Sequence, residues 1–371
     1  MRTGPPAGEQ WCQGPVGTHR RTGRTGVWPR PEGAALTTQP TTSRNAADRD
    51  APCPPPLDPE LAAVLEPIAD RLPPGFPPEA IPEIRAGLVV PPPTDEDLGR
   101  GGAFEIEERT VPGPPGAPDV SLLVCRPVHE RGPLPAVYHM HGGGMITGNN
   151  RMGVDEMLDL SEELGLVVVS VEYRLAPEHP HPAPVEDCYA GLVWTAENAR
   201  EIGVDPARIV VAGGSAGGGL TAALALLARD RGGPAVFGQM LLCPMLDDRN
   251  DSCSARQMAG HGVWDRTANE TAWGALLGDA RGGPDVSPYA APARATDLSG
   301  LPPAFIDVGS AETFRDEDVA YAARIWQVGG RAELHVWPGG FHGFDGLAPK
   351  ASLSREARAA RENWLRRLLS T

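Results

Sequence analysis

Three short patterns in this 371-residue chain carry the side chains and bare amides needed to cleave an acyl bond. Ser215 stands in Gly213-Gly214-Ser215-Ala216-Gly217, directly after the apolar run Ile209 to Ala212 and at the head of a helical pattern, Ala216 to Arg229. A strand-to-helix turn this sharp strains the serine backbone and exposes its hydroxyl, while glycines two before and two after admit neighbouring chain. With 45 glycines, chance gives roughly 0.2 such matches in a chain of this composition, a weak signal alone, so its place between strand and helix carries the weight. The competing reading is a glycine-rich turn that eases helix packing.

His141-Gly142-Gly143-Gly144 follows a second apolar run, Ala136 to Met140, and is far rarer by chance. Three glycines leave backbone N–H groups bare, and donors fixed in space favour an oxyanion forming on an acyl carbon over the ground-state carbonyl. The N–H of Ala216, just after the serine, completes such a hole. A nucleophilic serine needs a base, and the base needs an orienting carboxylate, in the chain order Ser, acid, His. His342, in Gly339-Gly340-Phe341-His342-Gly343-Phe344, follows the apolar run that ends at Trp337. Glu312 lies a few residues past the run ending at Val308 and is the expected acid, with Asp316 one helical turn later as the alternative.

These residues must be held by a scaffold, and the patterning supplies one. Short apolar runs at Val120 to Cys125, Ala136 to Met140, Leu166 to Val171, Ile209 to Ala212, Gln239 to Cys243, Ala304 to Val308 and Glu333 to Trp337 read as strands. Helical stretches at Asp155 to Leu164, Pro184 to Ala199, Ala216 to Arg229 and Asp316 to Val328 lie between most of them. Strands apolar on both faces and separated by helices predict an α/β protein with a mostly parallel sheet covered on both sides. Asp205-Pro206 predicts a helix cap and a short helical turn before Ile209. Upstream, Leu57, Leu61, Val64, Leu65 and Ile68 share one helical face, and a second short helix is expected over Glu79 to Leu88 before the run Pro91 to Pro93. Residues 1–56, rich in Pro, Thr, Gly and Arg, are expected to be a disordered tail or the product of an upstream start codon. Arg20-Arg21 has no apolar segment behind it to make an export signal.

Composition removes several functions. A net charge of −15, from 33 basic and 48 acidic residues, repels phosphate backbones and anionic lipid, which excludes nucleic acid and membrane surfaces as partners. The single lysine, Lys350, sits in Pro-Lys-Ala, so a phosphate-binding Gly-Lys-Ser/Thr loop is excluded. Gly217 to Ala222 formally matches a dinucleotide fingerprint but begins inside a helix, and no cofactor is expected. The six cysteines form no CxxC pair, which points to free thiols and the cytoplasm. His139 and His141 lack the aspartate at 143 that a binuclear metal motif of their spacing needs, so no metal site is expected.

Taken together these motifs resemble the hormone-sensitive-lipase-like branch of the α/β-hydrolase esterases. The resemblance runs from about 135 to 344, and less clearly from 57. Its markers are His-Gly-Gly-Gly at 141 to 144, Tyr173-Arg174-Leu175-Ala176-Pro177-Glu178, Gly-x-Ser-Ala-Gly-Gly at 213 to 218, Arg315-Asp316-Glu317 and the His342 loop. It implies an α/β-hydrolase fold and a carboxylic ester hydrolase, with Ser215 as nucleophile, His342 as base and the amides of Gly143, Gly144 and Ala216 as oxyanion hole. It also implies a helical cap, here from about 57–100 and 248–278. Met145, Met258, Trp264 and Trp273 are the candidate walls of a substrate pocket, although such residues are as often ordinary core.

Two departures from the family pattern stand out. Gly214 replaces the aspartate common before the serine, and Glu312 stands where the family usually has the triad aspartate. The reading is therefore a serine esterase for short to medium acyl esters, acting on a small-molecule substrate through an acyl-enzyme, with a homodimer left open. An amidase or deacetylase using the same triad, or a non-catalytic binding member of the fold, are the alternatives; retention of His342 speaks against the last.

Overall fold

A computed structural model describes residues 52–69, 77–86 and 91–371, so most of the expected tail at 1–56 lies outside the described residues. Among the described residues, eight strands form one sheet: β1 (Phe104–Val111), β2 (Val120–Pro127), β3 (Leu134–Met140), β4 (Val167–Glu172), β5 (Val204–Gly214), β6 (Gly238–Leu242), β7 (Ala304–Gly309) and β8 (Ala332–Trp337). Their order is β1-β2-β4-β3-β5-β6-β7-β8. β1 and β2 pair antiparallel, as do β2 and β4, and every other pairing is parallel.

The Val-rich central strands are buried on both faces because helices cover both. Alternate residues of each strand feed opposite cores. Tyr138, Met140, Val169, Val171, Ile209 and Val211 join one core with Val185, Cys188 and Leu192 of α5 (Ala183–Glu197) and Leu220, Leu224 and Leu227 of α6 (Ala216–Arg231). Val137, Val168, Val210 and Met240 join the other, against Met157 and Leu158 of α4 (Val154–Leu164) and Trp364 and Leu365 of α11 (Ser352–Leu369). α9 (Arg315–Gln327) packs Tyr321, Ala322 and Ile325 against Leu241 and Ile306.

Two features differ from the sequence expectations. β1 has no apolar run: its residues Glu105, Glu107 and Glu108 face solvent, as an edge strand covered on one side permits. The helical turn expected at Asp205-Pro206 is instead an irregularity within β5. Leu134 pairs with Val204 but Ala136 with Ile209, and the Asp205 carboxylate accepts bonds from the Ala207 amide and the Arg208 side chain inside the bulge. Proline fits there because a bulge needs no ladder donor.

The upstream segment forms α1 (Pro59–Ala69), α2 (Ile81–Ala86) and α3 (Asp95–Gly99), the last closed by a Thr94–Asp97 capping box. Residues 248–278 supply α7 (Cys253–Gln257) and α8 (Arg266–Leu277). α10 (Phe344–Leu347) follows the His342 loop, and Leu61 and Leu65 of α1 pack on Phe341 and Phe344 at either side of it.

Candidate active site

The parallel strands β3, β5, β7 and β8 end on one edge of the sheet, so the loops that follow them meet there, as ligand sites of open α/β sheets do. These four loops carry Gly142 to Gly144, Ser215, Glu312 and His342.

Ser215 joins β5 to α6 with φ +58° and ψ −122°, a backbone conformation that L residues rarely adopt. Strain of this kind persists because the surroundings fix it. The Ser215 amide donates to the Leu242 carbonyl at 2.8 Å, and the Ser215 carbonyl accepts from Met245 at 3.0 Å. The flanking glycines have a steric reason. A Cβ on Gly217 would lie 2.0 Å from the Met140 carbonyl oxygen, and one on Gly213 would lie 2.5 Å from the Gly217 backbone. Gly214 differs: its nearest neighbours would be 3.9 Å away, so the site has room for the side chain this chain lacks. We therefore expect Gly217→Ala to cost about 3 kcal/mol or more of stability, and Gly214→Asp to leave the melting temperature and turnover nearly unchanged, both measured on purified variants. Equal tolerance of the two substitutions would contradict this steric account.

Ala216 opens α6, so its N–H belongs to the first turn, which has no intrahelical acceptor. Across from it, the Gly143 carbonyl accepts from the amides of Ile146 and Thr147 at 3.1 and 3.0 Å, which turns the loop back on itself. Among the described residues, the N–H groups of Gly143 and Gly144 donate to no protein acceptor. Gly143 has φ +101°, and a Cβ there would strike the Thr147 carbonyl at 2.2 Å, so glycine is obligatory. The position a Cβ would take on Gly142 lies 3.5 Å from the Ser215 Cβ, which sets the two loops side by side.

The Tyr173-to-Glu178 motif supports this loop from behind. Tyr173 stacks on the His141 ring at 4.1 Å between centroids and donates its hydroxyl to the His141 carbonyl at 2.7 Å. Arg174 makes a bidentate pair with buried Asp187 of α5, at 2.8 and 2.7 Å, and the Ala176 amide donates to the Met145 carbonyl. Arg85 of α2 reaches the carbonyls of Ile146 and Ala176 and both carboxylate oxygens of Glu178. Burial pushes the imidazole of His141 down to about 4 and that of His139 to about 3, so both are neutral. His139 is tied to Ser170 at 3.0 Å.

His342 Nδ1 lies 3.0 and 3.1 Å from the two carboxylate oxygens of Glu312, which is buried. The acid and histidine loops are pressed together: the Ala311 amide donates to Gly340, and a Cβ on Gly309 would lie 2.1 Å from the Gly340 carbonyl oxygen. Phe314 meets the His342 ring edge-on at 5.4 Å. Asp316 faces elsewhere. Its carboxylate accepts from the Ser254 amide at 2.8 Å and pairs with Arg315, joining α9 to α7.

Of the expected pocket residues, Trp264 is the one set at the site. Its ring centroid lies 6.2 Å from that of His342, and its ring tip would be 2.5 Å from a Cβ on Gly144. Met145 and Trp273 are 1% and 0% exposed, so neither presents surface to a substrate here; both belong to one buried core, and Met258 is buried as well. Sequence reasoning missed Cys243, whose sulfur lies beside Glu312 and His342, because the end of a buried strand gives no sign of which neighbour it faces.

A family described as alpha/beta hydrolase fold matches residues 137–346. The chain belongs to this family. Within it, the chain is a member of the hormone-sensitive-lipase-like esterases. It is similar to the carboxylesterase NlhH of Mycobacterium tuberculosis, 37% identical over 289 residues, covering 76% of this chain and 82% of the relative. It is also similar to the esterase LipI of the same organism, 32% identical and covering 82% of this chain and 92% of the relative. Among solved structures, a bacterial heroin esterase superposes with a TM-score of 0.77 at 39% identity, covering 84% of this chain and 98% of that one. This α/β-hydrolase is thus a carboxylic ester hydrolase. No helix among its described residues is long and apolar enough to cross a membrane.

Proposed function

We propose that this α/β-hydrolase cleaves short to medium acyl esters of small molecules through an acyl-enzyme, with Ser215 as nucleophile, His342 as base and Glu312 as the orienting acid. The observation that carries the reading is the bond from His342 Nδ1 to Glu312. A carboxylate only accepts, so the Nδ1 atom holds the proton and Nε2 keeps a lone pair for the serine proton. Ser215 Oγ attacks the acyl carbon as His342 takes its proton. The oxyanion is met by the amides of Gly143, Gly144 and Ala216, and the alcohol leaves with the proton from His342. Water, deprotonated by His342, then adds to the acyl-enzyme and frees the acid and Ser215. The five described cysteines are free thiols, which supports a reducing, cytoplasmic setting.

The Trp264 ring, lying over Gly144, supports the limit on acyl length. On a p-nitrophenyl ester series from acetyl to dodecanoyl, we expect kcat/KM to peak among the shorter chains. Trp264→Ala should raise kcat/KM for the decanoyl ester relative to the butanoyl ester by roughly tenfold, about 1.4 kcal/mol, the worth of accommodating about one more methylene. An unchanged profile in the variant would remove Trp264 from the acyl site, and absence of turnover on every ester would overturn the esterase reading.

A further inference from the structure

We propose that Cys243, Glu312 and His342 form a binding site for a thiophilic divalent cation, of the Zn2+ or Cd2+ type, that switches off the catalytic base. The sulfur, a carboxylate oxygen and a ring nitrogen of these three residues all lie within 4.8 Å of one another. Ligand atoms around a tetrahedral zinc sit roughly 3.3 to 3.8 Å apart, given Zn–N and Zn–S distances of about 2.0 and 2.3 Å, so closure of about an ångström completes a three-ligand site. The fourth position is left to water.

The fold fixes each donor. Cys243 follows β6 with φ +37°, its amide donating to the Asp307 carbonyl at 2.7 Å. That places it between the serine turn, bonded to Leu242, and the acid loop after β7. Glu312 is held by the Phe314 amide as well as by His342. Cys243 and His342 are mostly buried yet each keeps some exposed surface, 12% for the His342 side chain, so the site is not sealed from a small ion. Burial first, then the carboxylates of Glu312, Asp307, Asp345 and Asp318, hold the thiol protonated, so the cation must displace that proton. Asp307 and Asp345 are paired with Arg361, so the charge that attracts a cation is that of Glu312, itself a ligand. Without a cation, the neutral thiol is inert and leaves the Glu312–His342 bond undisturbed.

With a cation the balance is simple. Bonds form from the metal to Sγ, to a Glu312 oxygen and to His342 Nδ1, and bound waters leave. The thiol proton goes to solvent. The imidazole proton moves from Nδ1 to Nε2 by exchange with water, which turns Nε2 from acceptor into donor. His342 then has no lone pair for the serine proton, and turnover stops without any change in oxidation state.

The effect on turnover rests on the triad reading above, whereas binding does not, so the test follows both. The full chain, stripped of metal, is titrated with Cd2+ while ester hydrolysis and the ultraviolet cadmium–thiolate absorbance are recorded. We expect saturable loss of turnover in step with the absorbance, reversed by chelator. Cys243→Ser and Cys243→Ala should keep basal turnover and need at least about tenfold more Cd2+ for the same inhibition, and Cys253→Ser, at an exposed thiol, should behave as wild type. The serine variant keeps the test alive if the alanine variant folds poorly. Undiminished inhibition in Cys243→Ser, or an absorbance that vanishes with Cys253 instead, would overturn the proposal. Absorbance tied to Cys243 with full turnover would uphold the site and overturn His342 as the base.

Discussion

Ser215→Ala is expected to lower kcat by about five orders of magnitude, with little change in thermal midpoint. The size follows from serine hydrolases as a chemical class, where loss of the nucleophile leaves only the contribution of the oxyanion hole and of binding. Stability is spared for a structural reason. The turn is held by backbone bonds to Leu242 and from Met245, and by close contacts of Gly213 and Gly217, none of which involves the serine hydroxyl. Alanine meets the same cost as serine at φ +58°. Steady-state kinetics and a thermal melt on the same preparation check both halves, and a loss of activity that merely tracked unfolding would not support the assignment.

Glu312→Gln should lower kcat by about 10³ to 10⁴, while Asp316→Asn should stay within a few-fold of wild type. The amide of glutamine offers His342 a donor as readily as an acceptor, so the ring is no longer held with its proton on Nδ1. Glu312 is 1% exposed and its two oxygens share the imidazole, so no water can take over the role at that face. Asp316 instead ties the Ser254 amide and Arg315, and its loss costs on the order of 1 kcal/mol of stability. The opposite kinetic ranking would transfer the acid role to Asp316.

Much of this architecture was legible because local chemistry and global fold agree. The valine-rich β4 needs helices on both faces, and both are there. Gly213 and Gly217 announce a turn in which any Cβ would meet backbone, and the structure shows which carbonyl each would strike. Glu312 is near His342 because adjacent parallel strands deliver their loops to one edge. Other features depend on contacts that no periodicity records. β1 escaped notice because an edge strand with one solvent face carries no apolar run. Asp205-Pro206 is good helix-start chemistry, but equally good chemistry for a bulge in which the carboxylate bonds its own loop. Arg85 bridges Ile146, Ala176 and Glu178 across 61 to 93 residues of sequence, a contact that only the folded chain creates. Trp264 and Trp273 look alike in sequence; the structure separates them, one beside the imidazole and one sealed in the core.

The central claim is that Ser215 carries the acyl group, and covalent trapping tests it most directly. The wild-type chain is treated with diethyl p-nitrophenyl phosphate, residual activity is followed, and the digested protein is read by mass spectrometry. Stoichiometric inactivation with the phosphoryl adduct on the peptide bearing Ser215, absent in Ser215→Ala, is the predicted result. An adduct on another residue accompanying the loss of activity, or full activity after exhaustive treatment, would contradict it.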